Sequence, residues 1–492
     1  MASQTIERLP PELLIHCCSY LKGSIVDIRN LRLTSKCLCS ASSLFLFDTL
    51  TVRITTKSLS ALEAVSNHPI FHMSVTTIRL SLCFYGDVQD QSTKVGLLSE
   101  CDRRFRSIGL TITRIFNSTR RTAEEVEQFN RIQVRISDMK FALASLEMGV
   151  VEDRPPSLSF PPLRMIANTF DVCNARFVDQ QAAIQRGTHL KRIGAAVSKF
   201  RRPLSFEIFG NIETLNEIDY RSCSMATTME WLNSDEVCSD IILDVLESRG
   251  QYLAFGIEHG FARTFKGIFV QLSKHEIFPS RLTVELDAPK RLHFFQLSQV
   301  QHDAIRNIVQ RAEHLSFAVR WWSKRNLEFG VVVIPAEQHY EEMKHLASLT
   351  TAFFNTESVR SVDLDIHDYS PPSDPPYISL HELLPDCEWP QLQALSLTGV
   401  PFHERELWKL VGRIRNSLEI LDMDGLQILN GNWKNAFRIL RGLDNLEEVS
   451  CRWPTGGEYG SGSYEDDLIF RFSENAVCQY LLKGHDAENP FG

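Results

Sequence analysis

The chain has 492 residues, a formal charge of −9, 43% apolar residues and 23% charged ones. That balance belongs to a folded globular chain rather than a disordered one, and so modest a negative charge argues against general nucleic-acid binding. No apolar run approaches the roughly eighteen residues a membrane span requires. The length admits several ordinary domains, or one small module followed by a long solenoid.

The polar N-terminus carries no secretory pattern. The twelve scattered Cys are therefore expected as reduced thiols in an intracellular compartment, cytoplasmic or nuclear. Pro10-Pro11 opens a helix, because proline at the first helical position loses only an amide that has no partner there. Leu13, Leu14, Cys17, Cys18 and Leu21 follow on two adjacent stripes at i, i+4 spacing. Beyond Lys22-Gly23-Ser24, Ile25, Ile28 and Leu31 form a second short helical pattern. Thr34 or Ser35 then caps a third helix carrying Leu38, Ala41, Leu44 and Phe45. Three helices in about forty residues bury too little apolar surface to be stable alone. They are apolar on more than one side, so either the rest of the chain or a partner must complete their core.

The carriers Leu9-Pro10-x-Glu12-Leu13, Leu21, Ile28-x-x-Leu31-Arg32-Leu33-Thr34-Ser35-Lys36-x-Leu38 and Leu46-Phe47 resemble the F-box, the adaptor motif of Skp–cullin–F-box ubiquitin ligases. Cys17 and Cys18 stand where the family usually has Ile and Leu, and Leu38 where many animal members have Trp; all remain apolar. The resemblance implies that residues 1–48 dock on a Skp-type linker protein, and through it a cullin. It assigns that docking to Leu9, Pro10, Leu13, Cys17, Leu21, Ile28, Leu31 and Leu33. It implies a non-catalytic substrate-recognition subunit with an unidentified protein target, no cofactor, no nucleic acid and no membrane. The residues alone leave a second reading open: a leucine-rich interaction scaffold, unconnected with ubiquitination, whose N-terminal helices cap its own sheet.

Residues 49–55 (TLTVRIT) alternate and are rich in β-branched side chains, which predicts a strand; 58–67 predict a helix and 75–85 a second strand. Residues 90–153 break this rhythm with helical patterns over 105–116 and 123–148, expected as an insertion bearing Arg103, Arg104, Arg106, Arg120 and Arg121. The segment PPSLSFPP at 155–162 marks a loop. Helix is predicted over 177–196, 229–248 and 297–311, and strand over 204–209, 282–286 and 315–321. In the C-terminal third the pattern L-x-x-L-x-L is filled from Leu392, Leu418 and Leu446, whose starts are 26 and 28 residues apart, and by Val359 and Val75 earlier. Helical spacing follows at 404–416 and 433–440. Residues 49–452 are therefore expected as an irregular leucine-rich solenoid with a parallel sheet, an α/β fold in which each unit covers its neighbour. This resembles fungal F-box proteins with degenerate leucine-rich C-termini. Pro371 to Pro376 form a surface loop, and 453–492 a glycine-rich linker and tail, ordered in part over 466–480.

Other constellations carry little chemistry. Cys37-x-Cys39 and Cys17-Cys18 sit on apolar helix positions, without the second pair that structural zinc needs. The glycines of 456–462 lack the GK[ST] ending of a phosphate loop. His403 with Glu404 and Glu406 is not an HExxH array, and no G-x-S-x-G elbow occurs. Trp321-Trp322 with Lys324-Arg325 reads as packing at a strand end.

Overall fold

A short strand with an apolar residue at every second position can bury only one face, and a parallel neighbour can be reached only through a crossover. This chain repeats that solution across nine strands joined in eight parallel pairings. In the computed structural model, which describes residues 6, 9–82, 84–85, 87–117, 122–147, 160–200, 204–210, 234–246 (without 236, 240 and 244), 257–287, 292–320, 336–366, 378–457 and 474–482, three N-terminal helices come first. They are α1 (Pro11–Ser19), α2 (Ile25–Thr34) and α3 (Lys36–Ser42). Strands β1 (Thr49–Arg53), β2 (Thr77–Ser81), β3 (Ser205–Phe209), β4 (Arg281–Asp287), β5 (His314–Arg320), β6 (Ser361–Asp365) and β7 (Ala394–Thr398) then lie side by side in chain order. β8 (Pro401–His403) leaves the main sheet, which continues through β9 (Ile420–Asp424) and β11 (Glu448–Arg452). β10 (Gln427–Asn430) joins β8 and β12 (Thr455–Gly456) in a small second sheet. The fold is mixed α/β, built on a nine-stranded sheet that is parallel throughout.

Register aligns the apolar positions into two unbroken rows. One runs Leu50, Ile78, Phe206, Leu282, Leu315, Val362, Leu395, Leu421, Val449; the other runs Val52, Leu80, Ile208, Val284, Phe317, Leu364, Leu397, Met423, Cys451. Helices α4 (Thr56–Asn67), α5 (Phe71–Ser74), α6 (Gln91–Asn117), α7 (Ala123–Glu147), α8 (Pro161–Arg186), α9 (His189–Val197), α10 (Ile257–Lys274), α11 (Gln299–Val309), α12 (Ala336–Phe353), α13 (Leu380–Leu383), α14 (Glu404–Ile414) and α15 (Trp433–Leu440) occupy the connections. Of these, α4 and α9 to α15 supply side chains such as Leu59, Ile193, Phe265, Ile305, Leu346, Leu380, Leu407 and Phe437 to one continuous core with the two rows. The five L-x-x-L-x-L matches all fall on this core, their first residues Val75, Val359, Leu392 and Leu418 being buried just ahead of their strands and Leu446 half-buried. Helix starts follow the usual capping chemistry: Thr55 accepts from the Ser58 amide, and Ser298 and Gln301 cap α11 reciprocally.

Four expectations need correction. The helix expected at 105–116 begins at Gln91. Pro161-Pro162, read as loop, instead open the 26-residue α8, where proline is at home in the first turn. The helix expected over 177–196 is two helices, since Gly187 adopts φ +63° and ends α8 with a left-handed cap. The insertion does not end near 153, because α6, α7 and α8 share a separate core that also takes Val237, Cys238, Ile241, Ile242, Val245 and Leu246. The Pro371 to Pro376 loop, the Trp321-Trp322 pair, Arg120, Arg121 and all of 458–473 lie outside the described residues.

The expected linker and tail carries structure as well. Thr455–Gly456 is β12, and α16 (Glu474–Leu482) packs on β11 and buries Val477, Tyr480 and Leu481 in the main core. The Cys478 thiol donates to the Val449 carbonyl at 3.2 Å, and the Arg441 guanidinium lies 4.5 Å from the centre of the Tyr480 ring. Tyr480→Ala is expected to cost about 3 kcal/mol, measured by denaturant unfolding. A loss below about 1 kcal/mol would mean that α16 is not part of the cooperative core.

Between α9 and α10, His189 is buried with its Nε2 3.3 Å from Thr264 Oγ1 and its Nδ1 3.2 Å from the Ala183 carbonyl. Burial pushes its pKa below the ordinary value, against the raising pull of that carbonyl. The unfolded chain therefore takes up the proton first, so this stabilisation is whole above about pH 6.5 and is lost as pH falls below it. The thermal midpoint should drop over that range, and His189→Gln should flatten the slope.

Candidate docking surface

The N-terminal helices begin and end by local rules. Pro10 precedes α1 with a second proline inside it, and Glu12 sits in the first turn near the positive end of the helix dipole. Ser24 accepts from the Asp27 amide and starts α2; Ser35 accepts from the Leu38 amide at 3.2 Å and starts α3. The private core of the module is small: Leu14, Cys18, Leu38 and Ala41, flanked by half-buried Ile15, Leu31 and Phe45. Burial, with Cys17 as a lesser contribution, pushes the Cys18 thiol pKa up. The hydroxyls of Ser42 and Ser43 are turned back onto the Leu38 and Cys39 carbonyls, which lets α3 sit against both neighbours.

The module meets the sheet through few side chains. Phe47 packs on the main core and edge-on against Phe71 at 5.1 Å, and Arg32 lies over the same Phe71 ring. The Asp48 carbonyl accepts from the amides of Thr76 and Thr77, which ties the exit of the module to the entry of β2.

Ideal helix geometry explains the rest of its surface. On α2, Ile25, Arg29, Leu33 and Val26 span an arc of about 100°, beside that of Ile28, Leu31 and Arg32, with Ile25 at the boundary. The first set is exposed, with Leu33 at 85%, whereas Ile28 is at 0%. On α1, Leu13, His16, Cys17 and Tyr20 share one exposed arc, and Leu14, Ile15 and Cys18 face inward. Each helix thus has two apolar faces, of which the chain itself covers one.

Of the eight residues assigned to docking, Leu9 (37% exposed), Pro10, Leu13 (49%), Cys17 and Leu33 stand open. Leu21 and Leu31 are half-buried, Leu31 against the core of the module. Ile28 requires correction: the chain seals it completely, so it holds α2 in place and offers nothing to a partner. Sequence reasoning missed Tyr20, Ile25 and Val26, all exposed and apolar. The angular count on α2 would have found Val26, which falls with Leu33 and away from Ile28, whereas Ile25 lies at the boundary between the two arcs.

One polar cluster has the residue types of a hydrolytic triad. Ser379 Oγ donates to Glu406 Oε1 at 2.9 Å, and His381 Nδ1 lies 3.0 Å from each of those atoms. A triad needs the two imidazole nitrogens on different partners, whereas here a single nitrogen meets both. Ser379 and Glu406 are buried and cap α13 and α14, the His403 amide donating to Glu406 Oε2. Among the described residues, no group of three His, Cys, Asp or Glu could hold a metal, and no helix is long and apolar enough to cross a membrane.

The two faces of α2 should respond differently to truncation. Ile28→Ala is expected to destabilise the module by about 2–5 kcal/mol, and Leu33→Ala to change stability by less than about 0.5 kcal/mol. Hydrogen exchange of the α2 amides in the two variants checks this. No protein-family model matches the chain, and neither does any curated protein.

Proposed function

We propose that this chain is an F-box-type substrate-recognition subunit of a Skp–cullin–F-box ubiquitin ligase, with residues 9–47 as its linker-binding module. The observation that carries this reading is the solvent-facing apolar surface of Leu9, Leu13 and Leu33, at 37%, 49% and 85% exposure, on a module with few core residues of its own. Such a surface fits a partner that supplies the missing half of the core. Pro10 and Cys17, also exposed, belong to the same set. The scaffold reading needs the module to pack its apolar faces on the first strands, and these residues are the ones that do not.

The remainder of the chain is read as an irregular leucine-rich solenoid that holds a target. The in-order parallel strands and the L-x-x-L-x-L residues in their core support that reading. The contribution to ubiquitin transfer is then positional: the target's lysines are held near an enzyme that carries ubiquitin, and no group of this chain enters the chemistry.

Replacing Leu9 and Pro10 together by Ala should abolish co-purification with a Skp-type protein while leaving the unfolding of the sheet unchanged. Co-purification of the double variant at the wild-type level, with the sheet intact, would overturn the assignment.

A further inference from the structure

The two ends of the main sheet are finished differently. At one end α16 lies along β11, and the Cys478 thiol meets the outward carbonyl of Val449. At the other end β1 pairs with β2 alone. Along such an edge strand, residues alternate: one sends its amide and carbonyl to the neighbour, and the next sends both away. The Asp48 carbonyl accepts from the Thr77 amide, and Thr49 stands opposite Thr77. Residues 48, 50 and 52 therefore serve β2, while Thr49, Thr51 and Arg53 turn their backbone groups outward. Arg53 is satisfied locally, its amide donating to Ser58 Oγ at 2.9 Å and its carbonyl accepting from the Thr55 amide at 2.9 Å. Thr49 and Thr51 are exposed, and among the described residues nothing hydrogen-bonds to their outward amides and carbonyls.

An open edge is a template for another strand, and chains usually blunt it with lysine, proline or a bulge. β1 reads TLTVR and pairs with β2 without a register shift, so it carries none of these. The apolar row that begins on β1 is also incomplete at this end. Leu50 is only half-buried, whereas Ile78 and Phe206, next to it in register, are sealed.

We propose that β1 pairs antiparallel with the β1 of a second copy of this chain, across a two-fold axis at Leu50. The open groups are self-complementary. Two-fold symmetry sets residue i against j and j against i, so Thr49 faces Thr51 of the second copy and Thr51 faces its Thr49. Each is a hydrogen-bonded antiparallel pair, in which both residues exchange amide-to-carbonyl bonds. Two such pairs use both open amides and both open carbonyls of each copy and leave none over. Threonine against threonine is a favourable cross-strand pair. The two Leu50 side chains meet at the axis as the closer, non-hydrogen-bonded pair, about 4.5 Å apart at Cα. They carry the apolar row from one core into the next. An extended segment of another protein would use the same backbone groups, but nothing on β1 selects its side chains. The contact uses none of the residues assigned to linker docking, so it stands apart from the adaptor reading.

The test follows the mass of the purified full chain by analytical ultracentrifugation from about 1 to about 200 µM. A monomer–dimer equilibrium is expected, with hydrogen exchange of the Thr49 and Thr51 amides slowing as the dimer forms. Charges placed at these two exposed positions read the register. Thr49→Asp with Thr51→Asp sets like charges opposite each other in both pairs, whereas Thr49→Asp with Thr51→Lys sets opposite charges there. The first variant should dimerise at least about fivefold more weakly than the second, with the second no weaker than wild type. Thr51→Pro removes an outward amide that β2 does not use, and should weaken the dimer at a near wild-type melting temperature; the two charge variants decide the matter if the proline disturbs folding. A chain that stays monomeric at about 200 µM overturns the proposal and leaves the edge to a segment of another protein. Dimers of equal strength from the two charge variants overturn it as well. Because no Skp-type protein is present, a failure here is separate from a failure of the co-purification experiment.

Discussion

The in-register alignment of short parallel strands is the constraint from which the rest of this molecule follows. A slip of one residue at any pairing would turn apolar side chains to the wrong face, and here Leu, Ile, Val and Phe stay aligned over nine strands. Each strand covers one flank of its neighbour, and helices in the connections cover the face. Such a stack is stable in its middle and exposed at its ends. At the C-terminal end α16 covers β11, and its thiol satisfies an edge carbonyl that has no further strand to pair with. At the N-terminal end the cover is thinner: Phe47 and Phe71 seat the helical module beside β1 and β2.

The same economy explains why that module is open. Nine to twelve residues make a short helix with room for one buried stripe, and α1 and α2 each carry two. Leu14, Cys18, Ile28 and Leu38 take the inward positions, and the outward ones remain in water with side chains as large as Leu33 and Tyr20. A cap built only to close the sheet would need no second apolar stripe. Exposed apolar side chains are ordinary when scattered; here they share single arcs of two adjacent helices.

Much of the architecture was legible in the sequence because the strand period and the repeat spacing are carried by the same residues. Leu395, Leu397, Leu421 and Met423 announce both the strand and its inward face. What escaped was carried by one or two residues at boundaries. Pro161 has two meanings, breaker and helix opener, and nothing local decides between them. Gly187 splits a helical pattern whose apolar spacing continues past it. The tail helix has no repeat to mark it, and its Val477, Tyr480 and Leu481 become core only because β11 lies beside them. On the docking surface, the motif order identified Leu9, Pro10, Leu13 and Leu33, whereas the burial of Ile28 is set by tertiary packing, which the motif does not state.

One further irregularity shows how a repeat can be kept in space and lost in sequence. Gly399 and Gly425, each directly after its strand, turn with φ of +69° and +61°; the corresponding residue after β11 is Trp453, at φ +52°. A bulky residue there costs about 1–2 kcal/mol relative to glycine, so the turn is imposed by the pairing of β11 with β9 and of β12 with β10 rather than by local preference. The positions that keep their residue type through the stack are those that face the core, where each neighbour restricts what fits. Most positions between them are half-buried and hold one another by polar contacts, such as Ser316 on Asp363 and Arg452 on Asp422 and Asp424.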